Sequence, residues 1–247
     1  MGSTFRADDC DSYRMEYAHP HRELEPPEKE EAIVDAALRA LVSAGIIAHA
    51  DYDRGRFLAH RRAVAELFEI PWTAITPRVQ RLLYSVNAVK RPRVMIAAGV
   101  FCGNTFISNA GAAVGPGACY VAEELVGVEV IAAEAQRAER NVRRIDPTGT
   151  ARVVAAEAVE FVRRFARPID VLYLDADGAG GRGKGVYLDI LEACWERLPP
   201  GAVVIAHNSV NNARSLEHYL SFVRDPTRMR ASLNVAIVGE GVEISAR

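Results

Sequence analysis

Two carboxylates, Asp175 and Asp177, follow the apolar run "VLYL" and open the stretch "DADGAGGRGKG", which holds five glycines. Charges do not end buried strands for stability, so Asp175 reads as a group of a site. The glycines Gly178, Gly180, Gly181, Gly183 and Gly185 make the following loop either a mobile lid or a plain surface loop. One crossover later a second apolar run ends "AHNSV" and brings His207 and Asn208 to the same edge. An imidazole titrates near neutrality and can act as a general base, with Asn208 as an orienting group. The plainer alternative is that both residues cap the next helix. Upstream, "RVMIAAGVFCGNT" runs a buried strand into a turn at Gly99 and Gly103. Glycine lets backbone approach a ligand closely, although a tight turn alone would explain the pair. The next strand, in "LVGVEVIAAEA", ends at Glu129 just before a helix. A carboxylate at that point can accept both hydroxyls of a ribose. The alternative is a surface acid favoured by the helix dipole, and Glu123 and Glu124 are rival candidates. The full GxGxxG of a nicotinamide-dependent dehydrogenase is missing.

These residues need a scaffold that brings strand ends together. Apolar β-rich runs at 93–98, 125–131, 151–155, 169–174 and 202–206 alternate with helical stretches at about 104–114, 133–145, 157–166 and 185–197. Such alternation predicts an α/β fold, a parallel sheet covered on both faces. "SLNVAIV", "GEG" and "VEISAR" predict a closing antiparallel hairpin, seven strands in all. Helical periodicity over 30–50, 58–70 and the stretch after Pro77 predicts an N-terminal helical extension, with Thr76 as a cap. The expected organisation is a loosely docked arm or lid over 1–31, the helical extension over 32–90, and the ligand-binding domain over 91–247. The arm is charged, carries Pro26–Pro27 and few aliphatics, yet holds Tyr13, Met15, Tyr17, His19 and His21.

Composition narrows the function classes. The net charge of -2 offers no general attraction to nucleic acid or to acidic membranes. "RNVRR" at 140–144 reads as a solvated helix face. Cys10, Cys102, Cys119 and Cys194 form no CxxC pair, which speaks against a zinc site or disulfide framework and for a reducing compartment. The first thirty residues are polar and charged, and no apolar run reaches the roughly 18 residues of a membrane span, so a cytoplasmic protein is expected.

Six stretches carry a resemblance. "ITPRVQRLLYSVNAVKRPRVMIAAGVFCGNT", "GVEVIAAEAQRAERNV", "VVAAEAVEFV", "IDVLYLDAD", "LPPGAVVIAHNSV" and "GEGVEIS" follow the order found in class I S-adenosylmethionine-dependent methyltransferases. Over residues 73–247 the chain resembles their catechol and caffeoyl-CoA type of O-methyltransferase. The resemblance implies a Rossmann-like, doubly wound sheet with S-adenosylmethionine as cofactor. It puts Gly99 and Gly103 against the methionine part, Glu129 on the ribose and Glu157 near the adenine amine, unless Glu157 is simply a first-turn helix acid. Asp175 would serve both cofactor and reaction centre. Tyr187, or an aromatic residue of the arm, is a candidate to flank the sulfonium. The family is commonly dimeric, and apolar N-terminal helices would suit a homodimer.

The chain departs from the family at three points. The resembled enzymes hold a divalent metal on an Asp matching Asp175 and an Asp-Asn pair matching His207 and Asn208, and the metal lowers the pKa of the acceptor hydroxyl. Histidine at the second position suits Mg²⁺ poorly, which leaves the metal in doubt. A Lys usually follows "DAD" closely; here Gly178 stands there and Lys184 lies further on in an enlarged loop. Finally, Ala97 replaces an acid that helps hold the cofactor's amine. An apolar floor would lower the amine's pKa and allow it to attack its own γ-carbon, expelling methylthioadenosine and closing azetidine-2-carboxylate. Small-molecule O-methylation is therefore the leading expectation. Intramolecular cyclisation is the alternative, and a non-catalytic binding module the third reading.

Overall fold

The computed structural model describes residues 3–72 and 75–247. Residues 1, 2, 73 and 74, at the start of the arm and of the resembling stretch, lie outside the described residues. The chain begins with strand β1 (Ser3–Arg6) and continues into helices α1 (Pro27–Ser43), α2 (Arg54–Leu67) and α3 (Pro77–Lys90). Asp53 caps α2 by accepting from the Arg56 N–H at 2.9 Å, and Thr76 caps α3 ahead of Pro77. There follow β2 (Val94–Ala98), α4 (Asn104–Ala110), β3 (Glu124–Glu129), α5 (Ala132–Ile145), β4 (Ala151–Ala155), α6 (Ala158–Arg164), β5 (Val171–Leu174), α7 (Val186–Cys194), β6 (Val203–His207), α8 (Glu217–Val223), β7 (Ala231–Ala236) and β8 (Val242–Ala246).

The strands form one sheet in the order β1-β7-β8-β6-β5-β2-β3-β4. All neighbours are parallel except β8, which runs against both β6 and β7, as the hairpin signal predicts. The sheet has eight strands rather than the seven expected. The extra one, β1, pairs with β7 in parallel, from Ser3 opposite Leu233 to Arg6 opposite Ala236. "STFR" is an exposed edge without apolar alternation, so its sequence gives no strand signal.

Side chains alternate across the pleat and build two cores. Met95, Ala97, Val171 and Tyr173 face a layer containing α1 to α5, while Ile96, Ala98, Leu172 and Leu174 face α6 to α8. The arm is tied to the first layer by the buried Arg78, which pairs with Asp9 and Glu25 and packs its guanidinium 3.8 Å from the Tyr13 ring centroid. Among the described residues no helix is long and apolar enough to cross a membrane.

Candidate active site

The chain runs from β2 outward to β3 and β4 and then returns to β5 on the other side of β2. The switch point therefore lies between β2 and β5, where open α/β sheets bind ligands. A cavity of about 1020 Å³ lies there, at the upper end of the roughly 300–1,000 Å³ of small-molecule sites. It is lined by Gly99–Cys102 after β2, Glu129–Ile131 at the end of β3, residues 156–160 after β4, residues 175–179 after β5, and Lys184.

Gly99 takes φ 79°, and a Cβ there would lie 2.4 Å from the Ala176 backbone N. Gly103 takes φ 91°, and a Cβ there would lie 3.2 Å from the Ala138 Cβ of α5. Both glycines thus let the turn pack on the neighbouring chain, while Gly99 also lines the cavity. Gly99→Ala combines left-handed strain with a clash against backbone, a cost of about 2–4 kcal/mol. The expected result is a melting temperature lower by roughly 5–15 °C. A wild-type melting curve would mean that the two turns are not packed in this way.

Phe101, between the glycines, is also left-handed at φ 48°, a conformation a non-glycine residue holds only when its surroundings enforce it. Glu129 supplies part of that enforcement. One carboxylate oxygen accepts the Phe101 N–H at 2.8 Å and the other accepts the Ile131 N–H at 3.0 Å. Each oxygen keeps a second acceptor position, and the side chain reaches the cavity although the residue is only 8% exposed. Beyond it β3 stops two residues earlier than the sequence suggests, because the last pair is Glu129 with Ala155. Val130 and Ile131 are left exposed on the cavity. Glu157 is exposed on the lining and caps α6 by accepting the Glu160 N–H at 2.8 Å. Trp72 also lines the cavity, its ring 4.8 Å from that of Phe101. These apolar groups escaped notice in the sequence, where nothing distinguishes a lip residue from a core one.

Around Asp175 the structure gathers a charged cluster. Lys184 Nζ donates to the Asp175 carboxylate at 2.9 Å and to its backbone carbonyl at 2.8 Å, with Asp177 at 3.3 Å. The other Asp175 carboxylate oxygen faces His207 Nδ1 at 3.3 Å and the Tyr173 hydroxyl at 3.4 Å. Burial works to raise the Asp175 pKa, but His207 and Lys184 outweigh it and hold the carboxyl below its ordinary value. His207 is buried, and its Nε2 has no partner among the described residues. Asn208, at φ 64°, turns its amide to Asn211 at 3.2 Å. Tyr187 is wholly buried edge-on to Tyr219, with ring centroids 5.8 Å apart. Unlike Asp175, none of His207, Asn208 and Tyr187 lines the cavity.

A divalent metal does not fit this donor set. Both carboxylate oxygens of Asp175 already face donor groups, one Lys184 and the other His207 and Tyr173, and His207 turns its Nδ1 to Asp175. No group of three His, Cys, Asp or Glu side chains is arranged to hold an ion among the described residues. Ala97 also differs from its expected part. It is fully buried in the core toward the N-terminal helices, opposite Tyr173 in register, and does not line the cavity.

Residues 96–209 match a family model described as a methyltransferase domain. No curated protein matches the chain. Among solved structures, the chain is similar to cofactor-bound Rv0187 from MTB, with 18% identity, TM-score 0.61, and 91% of this chain and 98% of that one covered. It is similar to the O-methyltransferase TomG from Streptomyces achromogenes in complex with SAM, with 16% identity, TM-score 0.57, and coverage of 88% and 98%. An O-methyltransferase from Bacillus cereus in complex with SAH gives 15%, 0.57, 86% and 97%. Residues 96–209 thus match a methyltransferase domain over somewhat less than half of the chain, and match and shared fold agree with the resemblance to the class I S-adenosylmethionine-dependent methyltransferases.

Proposed function

We propose that this chain is an S-adenosylmethionine-dependent methyltransferase acting on an oxygen of a small molecule. The observation that carries the reading is Glu129, fixed by two backbone N–H groups at the switch-point cavity with acceptor capacity left over. Its remaining lone pairs suit the two hydroxyls of a ribose. Val130 and Ile131 offer apolar surface for a nucleobase, and Glu157 stands close by on the same lining. When bound, S-adenosylmethionine supplies an electrophilic methyl on a sulfonium. The chain's own work is alignment and exclusion of water, tasks for which Phe101 and Trp72 are suited on the lining.

The cyclase reading depends on Ala97 forming an apolar floor beneath the cofactor, and Ala97 lies away from the lining. A purely binding module would have no use for the Asp175–Lys184–His207 cluster, since partly desolvated charges cost stability that apolar packing would not. The deciding experiment incubates purified protein with S-adenosylmethionine, alone and with a panel of phenols, carboxylic acids and alcohols, and identifies products by mass spectrometry. S-adenosylhomocysteine formed only with an acceptor is the expected result. Methylthioadenosine with a cyclic C4 amino acid, or no turnover across the panel, would overturn the proposal.

A further inference from the structure

We infer that the Lys184 ammonium, seated on Asp175 at the cavity, takes the part that a divalent cation plays in the resembled enzymes and binds the acceptor oxygen as an anion. The inference rests on the methyltransferase reading and deepens it.

The geometry starts with the loop. Gly178 N donates to Gly183 O at 2.8 Å and closes the glycine-rich segment into a small hairpin. Gly180, Gly181 and Gly183 have positive φ, and a Cβ on any of them would meet nothing within 4 Å. Their glycines therefore serve the backbone path rather than packing. That path returns the chain to the cavity and sets Lys184 on Asp175, with its Nζ 5.9 Å from the Tyr187 ring centroid. Asp175 in turn packs on the Gly99 turn, where a Cβ would lie 2.6 Å from the Asp175 carbonyl carbon.

The ammonium has three protons and no acceptor. Two are held firmly by Asp175, at 2.8 and 2.9 Å. The third points to Asp177 at a long 3.3 Å, and that carboxylate is 70% exposed. Asp177 is open to solvent and its contact is long, so this third N–H is the one free to donate to an incoming oxygen. Lys184 itself is only 12% exposed, which strengthens its field at the cavity. The charges also balance: Asp175 offsets Lys184, and an acceptor anion would offset the sulfonium. Metal-assisted enzymes lower the pKa of a bound hydroxyl with a cation, and a fixed ammonium is a weaker form of the same device. In the step, the acceptor oxygen loses its proton to solvent and forms the new O–C bond. With the cofactor bound, the S–C bond would break with its electron pair staying on sulfur, and the part of Lys184 would be to hold the acceptor anion in place.

The test uses 4-nitrocatechol, whose anion absorbs in the visible, titrated into protein loaded with S-adenosylhomocysteine. Bound to the wild type, the probe should ionise about one pH unit or more below its value in free solution. Lys184→Arg should keep most of this shift and Lys184→Met should lose it, while calorimetry shows S-adenosylhomocysteine affinity unchanged within a few-fold in both. A wild-type probe that ionises as in free solution, or a shift that persists in Lys184→Met, overturns the inference. So does a shift that EDTA abolishes and Mn²⁺ restores. Failure of the wild type to bind S-adenosylhomocysteine would instead overturn the methyltransferase reading beneath it.

Discussion

Replacing Glu129 by Gln should weaken S-adenosylhomocysteine binding by roughly 30- to 1,000-fold, corresponding to about 2–4 kcal/mol. The estimate follows from what the carboxylate does at both of its ends. Toward the protein it accepts from the Phe101 and Ile131 N–H groups, and toward the cavity it presents the remaining lone pairs of the same two oxygens. Glutamine keeps one acceptor oxygen but puts an amide donor where a second acceptor was, and it removes the charge that strengthens every bond the group makes. The amide NH2 must then oppose one of the two backbone N–H groups, and toward the ligand it leaves one acceptor fewer. Because Phe101 is held at φ 48° partly through this bond, the turn could also loosen, and a loss of affinity alone would not separate the two effects. A cycle with 2′-deoxy-S-adenosylhomocysteine does. The deoxy ligand should bind the wild type more weakly by about 1–2 kcal/mol, and the penalty should shrink to near zero in Glu129→Gln. If the penalty is the same in both proteins, Glu129 does not hold the sugar.

The residues that could be read from the sequence share one property, a signal contained in a single short segment. Glu129 and Asp175 are carboxylates at the ends of apolar strands, a combination that packing does not explain, and both line the cavity. The order of parallel strands follows from alternating periods, and "GEG" between two β-rich runs marks the β7–β8 turn. What escaped detection depends on contacts between segments. Ala97 and Ala98 are both fully buried, so apolarity does not tell which of them faces the N-terminal helices. Tyr187 follows the glycine loop as a ligand-facing aromatic might, but α7 turns it inward onto Tyr219. Lys184 meets Asp175 only because the Gly178–Gly183 bridge folds the loop back. The arm is the extreme case: its composition lacks a core pattern, while its structure is set by charges that find partners far along the chain.

Those charges yield the second large effect. Arg78→Met should lower stability by about 3–5 kcal/mol, a fall of roughly 6–20 °C in melting temperature. The guanidinium is fully buried and donates to Glu25 at 2.6 and 2.7 Å, to Asp9 at 2.8 and 2.9 Å, and to the Ile237 carbonyl at 3.0 Å. It thereby joins the arm, α3 and the segment after β7 in one knot. Without it Glu25, whose side chain is also buried, keeps Lys29 at 3.7 Å as its one ion-pair partner among the described residues, and a nearly unpaired buried carboxylate carries most of the penalty. The double variant Arg78→Met with Glu25→Met should accordingly be more stable than Arg78→Met alone, since replacing both ends by apolar groups removes the stranded charge. Acid should weaken the same knot. Hydrogen bonds from Arg78 and Lys29 hold the Asp9 carboxyl far below its ordinary 3.8. A group whose pKa is depressed on folding stabilises fully above its unfolded value and loses that contribution as pH falls toward the folded one. Wild-type stability should therefore drop below about pH 4, and that part of the drop should be absent in Asp9→Asn. A consequence for the site follows through contacts. Tyr17 of the arm packs edge-on to Trp72, which leans on Phe101 at the cavity. If the arm serves only as a structural strap, Arg78→Met measured well below its melting point will bind S-adenosylhomocysteine as the wild type does. If it braces the Phe101 wall, affinity will fall along with stability, and Trp72→Ala will reproduce the loss without the large change in melting temperature.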